Sequence, residues 1–134
     1  MPNERLSYTD PFGTGYRPYL AVHLTGANGK GGNVVGLLDT GADVTSMPVG
    51  FASLMGYGAQ TLTPITVGTA SAPASALQAT LPCAARVVGI EDVQFPLHPV
   101  FVFGSTGVLW GRTDLMKVFR VLFDEAAATF SLDW

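Results

Sequence analysis

The most apolar stretch of the chain, residues 93–110, is interrupted by Pro96, Pro99, Gly104 and Gly107. Proline lacks the amide proton that a helix interior needs, and glycine is the next worst helix former. A long helix is therefore excluded where hydrophobic content is highest, and short strands joined by turns remain. Composition agrees: 16 glycines and 9 prolines punctuate 134 residues, of which 48% are hydrophobic and 13% charged. A single domain of this length buries roughly two-thirds of its unfolded surface, enough for a core without metal or disulfide staples. That balance also rules out a disordered tail. With 7 Lys+Arg against 10 Asp+Glu the net charge is -3, so the chain lacks the basic excess of a nucleic-acid binder. Its one cysteine, Cys83, can form neither an internal disulfide nor a cysteine metal site.

Residues 1–10 are polar and contain no signal peptide. No uncharged apolar run of about 18 residues offers a membrane span. The chain reads as soluble and cytoplasmic, unless an export signal was cut from a longer precursor. Strands are expected over residues 19–24 and 33–38, joined as a hairpin around Asn28-Gly29. A short helix is expected within residues 48–55, with proline in its first turn and Gly56 ending it. Residues 61–67 and 76–83 flank the small-residue tract 68–75 and predict a second, longer hairpin. Short strands over 86–90, 93–97, 100–103 and 108–110 follow. A helical turn within 113–118 and strands over 118–123 and 128–132 finish the chain. This spacing predicts an all-β fold, closed or orthogonally packed, with a short C-terminal helix.

The segment from Val34 to Thr45, Val-Val-Gly-Leu-Leu-Asp-Thr-Gly-Ala-Asp-Val-Thr, carries the chemistry. An apolar strand delivers Asp39 toward the interior, and a buried carboxylate is costly unless hydrogen-bonded. Thr40 supplies a hydroxyl, and Gly41 lets its own N–H approach the carboxylate. Taken alone, Asp-Thr-Gly is also an ordinary turn after a strand. A second motif, Val108-Leu109-Trp110-Gly111-Arg112, precedes the expected C-terminal helix.

Together, in this order and with a hairpin between them, the two motifs resemble the retroviral-type aspartic proteases (retropepsins). The resemblance spans about residues 19–132. It implies a retropepsin-like single-domain fold over residues 19–134, preceded by an N-terminal extension over residues 1–18. It further implies an aspartic endopeptidase that needs no cofactor and acts on a peptide or protein substrate. Its chemistry takes two carboxylates sharing one proton, because two adjacent like charges do not both ionise cheaply. The chain holds a single Asp-Thr-Gly, so the second Asp39 comes from a second copy, in a homodimer with the active site on its two-fold axis. Asp39, Thr40 and Gly41 are the implied catalytic group, with Thr40 bracing the two loops across the axis. Ala42 and Asp43 are implied to line the cleft and hold substrate, and Gly68, Thr69 and Ala70 to form the tip of a covering flap. Gly111 and Arg112 are implied supports, with Arg112 paired to Asp43 as a buried ion pair.

Three departures accompany the resemblance. Trp110 stands where a smaller aliphatic residue is usual and is expected either to narrow a subsite or to alter the core. The flap tract carries one glycine and Pro73, and an exposed loop is the alternative reading of it. About eighteen residues precede the first strand, more than the minimal viral enzymes carry. Two rival readings stand beside the protease: a catalytically silent relative used for dimerisation or peptide binding, and an unrelated β-barrel module with Asp39 as a structural carboxylate. Other motifs are weak. His23 and His98 lack partners at ligand spacing, so no metal is expected. Ser46, Ser71 and Ser105 lack a nucleophile-elbow context. Gly29-Lys30-Gly31-Gly32 matches a phosphate loop in composition only. Cys83 and the aromatic residues Phe101, Phe103, Trp110, Phe119, Phe123 and Phe130 are expected in the core and cleft wall.

Overall fold

The computed structural model describes residues 2–69 and 71–134. Among these, the strands are β1 (Asn3–Ser7), β2 (Tyr19–Thr25), β3 (Gly31–Leu38), β4 (Ser46–Pro48), β5 (Leu62–Val67) and β6 (Ala74–Ala79). They continue as β7 (Cys83–Val87), β8 (Phe95–Leu97), β9 (Val100–Val102), β10 (Leu109–Trp110), β11 (Arg120–Asp124) and β12 (Thr129–Asp133). Two short helices, α1 (Gly50–Leu54) and α2 (Leu115–Val118), complete the fold with a 3₁₀ turn at Ala59–Thr61. Period-two burial explains the long strands: β2, β7 and β12 alternate buried and half-buried residues, which turns one face of each to the core. β9 is buried at all three positions. No helix among the described residues is long and apolar enough to cross a membrane.

Nine strands form one sheet in the order β5-β6-β9-β4-β10-β3-β2-β7-β8. Three form another, in the order β1-β12-β11. The larger sheet is an open half-barrel, which corrects the expectation of closure. Its outer strands carry Pro64 in β5 and Pro96 in β8, and a proline cannot donate to a closing ladder. The core gathers Trp110, Phe101, Phe119, Phe130, Met47, Leu97, Leu115 and Leu132, each essentially inaccessible to solvent.

Some expected boundaries move. The strand predicted over 86–90 lies at Cys83–Val87, because Cys83, Ala85 and Val87 point inward and Gly89 turns the chain at φ 93°. The single strand predicted over 76–83 ends at Ala79, with Pro82 before the next strand. Phe123, expected in the core, is 40% exposed on β11. The polar N-terminus, to which no element was assigned, forms β1 and pairs with β12 from Asn3 beside Asp133 to Ser7 beside Thr129. Its tyrosine, Tyr8, is buried and donates its hydroxyl to Glu125 at 2.8 Å. Burial first, then that carboxylate, pushes its pKa up to about 12.

Candidate active site

The site begins with a threading of the chain. β10 lies between β3 and β4, parallel to the first and antiparallel to the second, with Leu109 beside both Leu37 and Ser46. The loop from β3 to β4, residues 39–45, must therefore cross the end of β10. Asp39 N–H donates to the Trp110 carbonyl at 3.1 Å, and Arg112 N–H donates to the Ala42 carbonyl at 3.0 Å. Thr113 N–H donates to the Asp43 carbonyl at 3.1 Å. Gly111 N–H donates to the hydroxyl of the fully buried Thr45 at 3.2 Å. At the crossing itself a Cβ on Gly111 would lie 2.3 Å from the Val44 carbonyl carbon and oxygen. Only glycine fits there.

Asp39 is half-buried at the surface of a cleft, so the interior position expected from its apolar strand is corrected. Leu38 beneath it is buried, and the chain turns outward directly after. Gly41 N–H donates to Asp39 Oδ1 at 2.9 Å. A Cβ on Gly41 would stand 3.2 Å from that same oxygen. The Thr40 side chain is exposed. Asp43 and Arg112 form an ion pair. With side chains 76% and 57% exposed, it is a surface pair, not the buried one that was expected.

The cleft has a volume of about 940 Å³. Asp39, Gly41, Ala42 and Asp43 line it together with Gly68 and Thr69 from the tip of the β5–β6 hairpin. Thus residues about thirty positions apart in sequence face one space, while Thr40, Gly111 and Arg112 stand outside its lining. Ala70 lies outside the described residues. Sequence reasoning missed much of the wall: Val67, Val100, Val102, Ser105 and Leu109 line the same cleft. Phe103, placed among core and cleft aromatics, lines it too and is 49% exposed. The signal lay in the apolar β9 and the Gly104–Gly107 turn that follows, but the faces were not assignable without the pairing of β9 to β4.

Trp110 is core and not a subsite residue. It is fully buried, its indole N–H donates to the Leu20 carbonyl at 3.0 Å, and Gly36 leaves room for the ring. Asp114 stands in a context unlike that of Asp39, and sequence reasoning gave it no role. It is buried, its Oδ1 accepts the His98 backbone N–H at 3.3 Å, and the His98 ring nitrogen lies at 3.7 Å. Its Oδ2 is buried without a hydrogen-bond partner among the described residues. Burial pushes its pKa up, against a smaller lowering by His98. Cys83 is buried, and burial raises its thiol to about 11, which leaves it protonated and unreactive. No group of three or more potential metal ligands occurs among the described residues.

No protein-family model matches the sequence, and no curated protein does. Solved structures do. The EIAV protease in complex with the inhibitor HBY-793 superposes with a TM-score of 0.55 over 77% of this chain and 88% of that one, at 16% identity. With the Asp39 loop crossing β10 and sharing a cleft with the β5–β6 hairpin, the chain has the retropepsin fold of the retroviral aspartic proteases.

Proposed function

We propose that the chain is one half of an aspartic endopeptidase, in which two copies each contribute Asp39 to a shared water-activating centre. The observation that carries this is the placement of Asp39, held by the Gly41 N–H, in a cleft that Gly68 and Thr69 also line. One chain brings a single Asp-Thr-Gly to that cleft, and peptide hydrolysis of this type needs a base and an acid together. In the dimer, the ionised Asp39 takes a proton from water while the protonated Asp39 of the second copy donates to the substrate carbonyl oxygen. The water oxygen bonds to the carbonyl carbon to give a tetrahedral gem-diol. As the C–N bond breaks, the carboxyl that took the water proton passes it to the leaving amine and the other carboxylate takes back a diol proton, so no bond to the protein forms.

Thr40, exposed on the single chain, braces the two loops across the axis. Ala42 and Asp43 hold the substrate main chain, with Arg112 steadying Asp43 from outside the cleft. Gly68 and Thr69 close over bound peptide and exclude water. Val67, Val100, Val102 and Leu109 favour apolar side chains on either side of the scissile bond. Residues 19–134 carry this machinery, and residues 1–18 extend it through β1.

The test is cleavage of an unstructured protein over pH 3.5 to 7, a range of about that width bracketing titration of a shared carboxylate pair. Wild-type protein cleaves and a statine-type mimic blocks it, whereas Asp39→Asn is inactive with unchanged circular dichroism. Mixing excess Asp39→Asn into wild type also suppresses activity, because mixed dimers lack one carboxylate. Cleavage that survives Asp39→Asn, or a fully active proven monomer, overturns the proposal.

A further inference from the structure

Asp114 stands before α2, where an aspartate ordinarily caps a helix by accepting a first-turn N–H. Its carboxylate makes no such bond. The side chain is 6% exposed, with Oδ1 on the His98 backbone N–H and Oδ2 on no partner among the described residues. A buried, half-satisfied carboxylate is costly once ionised. Its ion-pair partner among the described residues is conditional. His98 Nδ1 lies 3.7 Å from Oδ1, and the ring, 51% exposed, exchanges protons with solvent.

The other groups around Asp114 do not substitute for that proton. The Thr45 hydroxyl beside it is neutral and already accepts the Gly111 N–H. Burial pushes the Cys83 thiol of β7 up to about 11 and the neighbouring Tyr57 hydroxyl up to about 12, so both stay uncharged. β8 and β9 carry no titratable side chain. Lys117 of α2 and Arg120 of β11 are exposed, and Arg112 is paired with Asp43.

The backbone around the pair leads directly to the cleft. Just after His98, Pro99 accepts the Ala79 N–H of β6 at 3.1 Å, and Val100 N–H donates to the Thr45 carbonyl at 3.0 Å. Val100 and Val102 of β9 line the cleft. On the other side, Gly111 N–H holds the Thr45 hydroxyl shortly before Asp114. His98 and Asp114 thus stand where β9, the end of the Asp39 loop and the segment it crosses meet. We propose that they form a proton-operated latch at this junction, closed while the His98 imidazole is protonated and released when it is neutral. His98 is a positioning residue: its charge offsets the buried carboxylate, and loss of that charge lets residues 98–100 and 111–114 draw apart. The latch rests on the protease proposed above and makes cleavage fall with rising pH for a reason separate from the shared Asp39 pair.

The test reads hydrogen exchange at the Val100 and Gly111 amides of Asp39→Asn protein, corrected for intrinsic rate. It runs from about pH 5.5 to about pH 8, across the ordinary imidazole titration near 6.5. At the acid end these amides are about three- to fivefold better protected than when His98→Gln is added, the scale of a half-exposed ion pair. At the basic end the two proteins converge. His23→Gln, which removes the chain's other imidazole, leaves the response intact, and in an Asp114→Asn background His98→Gln changes nothing. An equal pH response with and without His98→Gln, or an effect of His98→Gln that survives Asp114→Asn, overturns the latch. With Asp39 intact, the ratio of wild-type to His98→Gln kcat falls over the same range, the titration of the Asp39 pair cancelling. The expected exchange in a chain whose wild type never cleaves peptide upholds the latch and defeats the protease; cleavage with a pH-independent ratio does the reverse.

Discussion

Gly111→Ala puts the threading of β10 to a quantitative test. The added Cβ would sit 2.3 Å from the Val44 carbonyl, and ordinary contact begins at 3.4 Å. The two segments must therefore separate by about 1 Å, and neither atom belongs to a flexible side chain. The same opening stretches the Gly111 bond to Thr45 and the Asp39–Trp110 and Arg112–Ala42 backbone bonds, now 3.0–3.2 Å, past useful range. Overpacking costs about 1–3 kcal/mol, and each lost hydrogen bond adds about 1. A total of about 4–6 kcal/mol is a large share of the roughly 5–15 kcal/mol that holds a domain together. In urea unfolding at fixed protein concentration, a slope of about 2 kcal/mol/M turns this into a midpoint lowered by about 2–3 M. Gly107→Ala, with open space around its Cβ, is the control and stays within about 0.5 kcal/mol. If Gly111→Ala unfolds within about 0.5 kcal/mol of wild type, the glycine is not what permits the crossing and the account of the site is wrong.

Asp114→Asn changes how stability depends on pH. Because burial raises the carboxyl above its ordinary 3.8, the folded state binds the extra proton. Stability from Asp114 is present below that value and is lost as pH rises through the raised one. Asn keeps the acceptor for the His98 N–H without the charge. The variant should gain on wild type in urea midpoint as pH climbs from 4 upward, about where the unfolded carboxyl ionises; a pH-independent difference would show that the charge is not the cost. Arg112→Ala removes an exposed pair, so stability should fall by no more than about 1 kcal/mol, its backbone bond to Ala42 remaining. Peptide cleavage should fall further than that loss of folding explains. A loss of about 3 kcal/mol or more in unfolding free energy would mean the pair is buried in the assembled molecule.

Much of this protein was legible before folding. The prolines and glycines excluded long helices. The Asn28-Gly29 turn between two β-favourable runs placed β2 and β3 as a hairpin. The Asp-Thr-Gly segment with the Gly-Arg segment marked the two parts of the candidate site, because local bonding needs the small residue and the carboxylate close together in the chain. Tertiary structure alone decided the rest. Whether the sheet closes depends on edges and hairpin direction, and these depend on partners far away in sequence. Whether Asp43 and Arg112 are buried depends on what covers them, not on their identities. Trp110 reads the same whether it fills a subsite or the core. The backbone settled it by aiming the ring at Leu20 and Gly36, since strand pairing, not residue type, decides which side of a strand faces inward. β1 was illegible for the same reason: Asn, Glu, Arg and Ser have no inward preference, and only the waiting edge of β12 made a strand of them.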